Sequence, residues 1–322
     1  MNDNVWIMFA QLLVVIGAIY MGTRTSGLGL GVWGLVGVAV LLFGFGSAPG
    51  NAPVDAVFIV ITVITAASVM QAAGGIEWMV SIAAKVIRKR PRSVVFLAPA
   101  MSFLFTVGAG TGNIFYPLLP VIYDVSFQQK IRPERALSVS AVASQVGILC
   151  SPVSAATASM VVLLAPQGFD LGRLLLVMWP ASILGLFMAA LVMLKHGKEL
   201  VDDPVYLAKL KAGQIKPPAT NVGETKLPPA AVLSASLFLA GVGVIVLFGL
   251  FENLRPIIGT NDAGDPTRVS VTIIIEVTMG VIAALIFVLC KVKSADVPKQ
   301  STFPAGIVGA IALNGHDGFL YS

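Results

Sequence analysis

Apolar residues dominate long stretches of the chain, and short polar islands separate them. Runs long enough to cross a bilayer, which takes roughly 20 residues of helix, cover 5–22, 27–46, 55–73, 174–194, 230–251 and 269–290. Each predicts a transmembrane helix. Between the third and the fourth lie two further apolar segments that are interrupted. The first, 94–121, contains Val107-Gly108-Ala109-Gly110-Thr111-Gly112-Asn113, with Pro117 and Pro120 close behind. Three glycines in five positions weaken a helix and the prolines remove donors, so the backbone there unwinds and frees amides and carbonyls at membrane depth. The second break is Cys150-Ser151-Pro152-Val153-Ser154-Ala155-Ala156-Thr157. Unwound backbone is tolerated in a membrane where protein buries it or where it lines a wet cavity, and half-helix ends facing such a cavity bind ions. Two breaks therefore point to a transport site.

The polar islands give the topology. All but three of the 21 lysines and arginines can face one side; the exceptions, Arg173, Arg255 and Arg268, fall in loops on the other. The positive-inside rule puts the larger set in the cytoplasm and the N-terminus outside. Both flanks of the first broken segment, Arg92 and Lys130, then lie on the cytoplasmic side, so it enters and returns. A re-entrant hairpin with its tip near Gly110 to Asn113 satisfies this, as do two full spans joined by a short outer turn. The segment 136–166 must end outside and reads as a helix broken at Ser151-Pro152. Residues 74–92, with Glu77, Lys85 and a basic end, read as an interfacial amphipathic helix or a connector. The polar stretch 195–229 reads as a cytoplasmic linker between a first transmembrane half, 1–194, and a second, 230–322.

Composition agrees with the pattern. The chain has 322 residues, 57% hydrophobic and 11% charged, against about 25% charged in soluble domains, and its mean hydropathy is +0.90. It is an all-α polytopic membrane protein in contact with the lipid bilayer. A net charge of +5 does not indicate nucleic acid, because the basic residues sit in short loops. Residues 1–22 carry Asp3 and no Lys or Arg, and so read as the first span rather than a cleaved leader. Cys150 and Cys290 lie in apolar segments and His196 is far from His316, so neither a disulfide framework nor a metal centre is indicated. No catalytic motif, phosphate loop or cofactor signature is present, which argues against direct ATP drive and for secondary transport.

The candidate substrate-binding residues are Gly110, Thr111, Gly112 and Asn113 in the first break and Ser151, Pro152, Ser154 and Thr157 in the second. A hydroxyl and a carboxamide beside freed amides at a half-helix N-terminus can hold a carboxylate. The competing readings are close helix packing through the glycines and hydroxyls bonded back to a preceding turn. Glu276, inside 269–290, is the clear intramembrane ionisable group; it binds a proton or pairs within the bundle. Gln71 and Gln145 either bond between helices or, for Gln145, line the cavity.

Several pieces in order resemble the anaerobic C4-dicarboxylate transporter family, the Dcu type: Met70-Gln71-Ala72-Ala73-Gly74-Gly75, Leu97-Ala98-Pro99, Gly110-Thr111-Gly112-Asn113-Ile114, Leu119-Pro120-Val121-Ile122, Ser151-Pro152-Val153-Ser154-Ala155-Ala156, Asp202-Asp203-Pro204-Val205-Tyr206 and Ser301-Thr302-Phe303. The resemblance implies an ion-transporter-like architecture in the bacterial inner membrane. It also implies exchange or uptake of fumarate, succinate, malate and aspartate in anaerobic respiration, and a homodimer. Family members continue past the point where this chain stops, and 301–313 is too short to span. The resemblance therefore implies a C-terminally truncated chain with an incomplete second half. From the residues alone, a sodium- or proton-coupled carrier of another small anion and an inactive or regulatory membrane fragment also remain open.

Overall fold

The computed structural model describes residues 2–25, 29–47, 54–197, 199–212, 227–260 and 266–300. Twelve α-helices are described, numbered here in chain order. α1 (Asn2–Thr25) and α2 (Gly29–Ala39) pack against each other, and α2 ends in a π turn, Val40–Gly44. This second helix is shorter than the expected 27–46, and among its flanking residues Gly46 turns left-handed, with φ +66°. α3 (Val54–Ala72) leads into α4 (Gly75–Lys89) through a 71° bend. The bend is at Gly74, whose φ of +86° suits glycine and whose added Cβ would lie 3.3 Å from both Ala231 and Pro228.

α4 is amphipathic as expected, but its apolar face is not laid on lipid. Met79, Ala83 and Ile87 are fully buried against neighbouring helices, while Glu77, Lys85 and Lys89 stay exposed. A face that protein covers gains burial without needing a membrane surface. α5 (Val94–Ala109) and α6 (Phe115–Gln128) form the expected hairpin, and α7 (Pro133–Leu149) and α8 (Ala155–Leu164) the broken helix. α9 (Leu171–Leu194), α11 (Pro229–Leu250) and α12 (Val271–Leu289) are long apolar helices close to the boundaries read from the sequence. The linker begins with a short helix, α10 (Pro204–Lys211); residues 213–226 and the tail 301–322, including Ser301-Thr302-Phe303, lie outside the described residues.

One element was not anticipated. Between α11 and α12, β1 (Ile257–Thr260) and β2 (Pro266–Arg268) pair as a small antiparallel ribbon, pairing backbone groups that a loop would leave to water.

Two packing surfaces make the body. α12 and α11 lie on α3 and α4, with Phe238, Ile245, Ile275 and Met279 fully buried between them. α5 and α7 run side by side through small residues: Ala98, Ser102 and Thr106 face the α7 series Ala136, Ser140, Ala143 and Ser144, all without exposed surface. Small side chains let the two backbones approach, which is how membrane helices gain contact without a hydrophobic driving force. At Gly147 the approach is so close that an added Cβ would stand 2.9 Å from Thr106 Cβ.

Charges collect at two ends. At one, Arg88 Nη2 is 3.8 Å from Asp124 Oδ2, tying α4 to α6. Beside them Arg135 donates to His196 O at 2.8 Å, Gly197 O at 2.9 Å and Glu199 Oε1 at 2.7 Å. Arg132 meets Asp203 at 3.1 Å and pairs with Glu134. At the other end Arg255 donates to Phe248 O at 2.8 Å and stands 3.5 Å from Asp170, while Arg268 Nη1 donates to Asn253 O and Arg255 O.

Candidate functional site

The hairpin begins and ends at the same end of the molecule. Asp124, on α6, reaches Arg88 at the close of α4, just before α5 starts. Its tip is therefore remote from that end: 16 residues of α5 rise roughly 24 Å. α7 starts from the same end and its 17 residues rise roughly 26 Å before breaking. Tip and break thus come to the same height, and they touch.

The tip turns at Gly110, which closes α5 in the left-handed region at φ +70°, its N–H bonded to Thr106 O at 2.9 Å. A Cβ here would lie 2.7 Å from Val153 O, inside the second break. Both the turn and the neighbour require glycine. Thr111 is extended, and its Oγ1 accepts from Asn113 N at 3.3 Å, capping the tight turn Gly112–Ile114 that opens α6. Pro117 falls in the first turn of α6, where no donor is needed. Ser144 on α7 donates to Gly112 O at 3.4 Å and shares a 3.3 Å contact with Thr106 Oγ1. A Cβ on Gly112 would also lie 3.6 Å from the Gln145 amide nitrogen, so Gln145, exposed on α7, stands beside the tip. Thr111, Gly112 and Asn113 are all half-buried.

The second break uses its polar atoms on itself. Ser151 Oγ accepts from Val153 N at 3.3 Å. Ser154 caps α8 by accepting from Thr157 N at 3.1 Å, and its hydroxyl donates to Thr157 Oγ1 at 3.0 Å. Thr157 Oγ1 in turn donates to Leu149 O at 2.8 Å, eight residues back across the break. Ser151, Ser154 and Thr157 are buried, as is Pro152. These hydroxyls stitch two half-helices together. Ala155 and Ala156, at the start of α8, remain half-exposed, and the first amides of a helix have no intrahelical partner.

All eight residues singled out in the sequence are thus brought to one place. What they share electrostatically is the start of a helix. The turn opening α6 and the start of α8 are both positive dipole ends, and they come together where Gly110 packs against Val153. Such a pair of ends can receive carboxylate oxygens through backbone N–H, the Thr111 hydroxyl and the Asn113 amide.

Sequence reading passed over Ser144 and Thr106, which hold the tip to α7. The signal was the i, i+4 pair Ser140 and Ser144 before the break. It also passed over Asp124, buried in α6 with Oδ1 accepting from Gln128 Nε2 at 2.8 Å, because the residue follows the apolar run rather than interrupting it. Glu276 lies on α12 and Gln71 on α3, both half-buried.

Comparison with known proteins covers nearly the whole chain. The family described as anaerobic C4-dicarboxylate membrane transporter matches residues 7–317. Among curated proteins, C4-dicarboxylate transporter DcuA of Helicobacter pylori is 37% identical over 95% of this chain and 68% of its own length. DcuA of Escherichia coli K12 is 35% identical over 95% and 69%. Anaerobic C4-dicarboxylate transporter DcuB of Escherichia coli O6:H1 is 32% identical over the same shares. No solved structure matches the chain.

Proposed function

The chain belongs to the anaerobic C4-dicarboxylate membrane transporter family, and from that premise we propose that it carries C4-dicarboxylates such as fumarate, succinate, malate and aspartate across the bacterial inner membrane. The mode is exchange or uptake, not enzymatic turnover. The observation that carries the reading is the meeting of two half-helix N-termini, one opening α6 and one opening α8, where Gly110 packs on Val153. Two positive dipole ends beside neutral donors suit an anion whose charge is delivered at carboxylate oxygens. Thr111 and Asn113 contact the substrate; Ser151, Ser154 and Thr157 hold the second helix start in place for it.

In this reading the hairpin is re-entrant, the arginine-rich end is cytoplasmic and the N-terminus periplasmic. The first transmembrane half, 1–194, supplies the site, the linker 195–229 follows, and 230–322 begins the second half. The chain works as a homodimer. Supporting the orientation are the salt links that gather Arg88, Arg132 and Arg135 at one end, away from Arg255 and Arg268.

Labelled-fumarate uptake into proteoliposomes loaded with succinate tests the function. Counterflow that stops when the internal succinate is replaced by a monocarboxylate supports it. No counterflow from the chain, with insertion verified, would overturn it for this polypeptide.

A further inference from the structure

Trp179 belongs to neither break, yet it holds one of them. From α9 its indole Nε1 donates to the carbonyl oxygen of Cys150, the residue that closes α7, at 2.9 Å. That carbonyl is one of the acceptors a helix end leaves without an intrahelical partner, and in the membrane interior no water supplies a donor. Ser182, three residues on, adds a second tie, its Oγ lying 3.1 Å from Cys150 Sγ.

An ordinary explanation for a tryptophan in such a helix is anchoring at the headgroup level. The position argues otherwise. Trp179 is eight residues beyond the start of α9 at Leu171, roughly 12 Å into the helix, at the depth of the break rather than of the interface. Its ring also separates two apolar clefts, one lined by Leu175, Pro180 and Val246 and the other by Phe103, Val107 and Leu186. The ring is half-buried against both core clusters, and the hydrogen bond fixes which way its N–H edge points.

We propose that Trp179 is a positioning residue for the anion site: through the Cys150 carbonyl it fixes the end of α7, and with it the start of α8 against the hairpin tip. The inference rests on the reading that the two breaks form the site. Trp179→Phe keeps an aromatic ring and removes the donor. The chain is reconstituted in proteoliposomes with Cys290→Ser, so that Cys150 is its one thiol, and is compared with the same chain carrying Trp179→Phe or Trp78→Phe.

Alkylation of Cys150 by N-ethylmaleimide should be about tenfold faster in Trp179→Phe, the factor one lost hydrogen bond allows, and unchanged in Trp78→Phe. Fumarate counterflow by Trp179→Phe should show a KM raised about tenfold with maximal rate within about twofold, since the site is displaced and not removed. Unchanged alkylation would overturn the proposal, because the bond would not be holding the break. Faster alkylation with unchanged KM would overturn it too, leaving Trp179 a support for the fold alone. Absence of counterflow in the unsubstituted chain would instead sink the C4-dicarboxylate reading, and the alkylation rates would still decide whether Trp179 holds the break.

Discussion

The hairpin tip and the α7–α8 break are both rich in small and hydroxyl-bearing residues, lie at the same height and touch at Gly110 and Val153. They differ in how deeply their polar residues are buried. In the break, Ser151, Ser154 and Thr157 are buried and bonded to their own segment. In the tip, Thr111 and Asn113 are half-buried, and Thr111 Oγ1 accepts from Asn113 N at 3.3 Å. An unwound stretch in a membrane must satisfy its backbone, and hydroxyls committed to that task are not available to a ligand. On the reading proposed above, the buried break is the frame and the half-buried tip faces the substrate.

Substitutions at the two sites should separate these roles. The largest effect is expected where they meet. Gly110→Ala combines a left-handed φ with a Cβ 2.7 Å from Val153 O, so transport should fall on the order of 100-fold or more as the tip is displaced, with stability lowered by about 1–3 kcal/mol. Counterflow and thermal melting in detergent read both; a variant with wild-type KM would mean the contact is dispensable.

Next comes Asn113→Ala. Loss of a donor to a charged group costs about 1.5–3 kcal/mol, so transport should drop roughly 10- to 100-fold while membrane insertion stays intact. Unaltered uptake kinetics would remove Asn113 from the site. Ser154→Ala should reverse that signature. An N-cap loss of about 1 kcal/mol would lower the melting temperature and leave KM within about twofold. A KM increase without destabilisation would make Ser154 a ligand after all and erase the contrast. The smallest change is expected of Thr111→Ser, which keeps the capping oxygen. Its uptake should stay within about twofold of wild type, and a larger loss would show that the Thr111 methyl shapes the cavity.

Much of this was readable in the chain. Clusters of glycine, or serine beside proline, inside apolar runs announce breaks, so Gly108 to Gly112 and Ser151-Pro152 stood out, whereas the bend at Gly74 was not read. That the two breaks meet was not readable. It depends on Gly147 admitting Thr106 and on Ser144 reaching Gly112 O, contacts between segments that carry no local periodicity. Nor does a serine reveal in sequence whether its hydroxyl faces a ligand or the next amide; Ser154 and Thr111 differ only in what stands around them. Asp124 escaped because a carboxylate at the edge of an apolar run resembles a loop residue until Arg88 is seen beside it. The β1–β2 ribbon escaped because two strands this short leave no alternation to detect.

The hairpin's return to its starting end has a consequence for how such proteins are mapped. Sided labels and reporter fusions count crossings by parity, and a segment that goes in and comes back adds nothing to the count. A fusion before Arg88 and one after Gln128 would report the same compartment whether or not α5 and α6 were there. The stretch holding Thr111 and Asn113 is silent to that class of experiment, and a topology map with every loop correctly assigned would still omit the tip at which the two breaks meet.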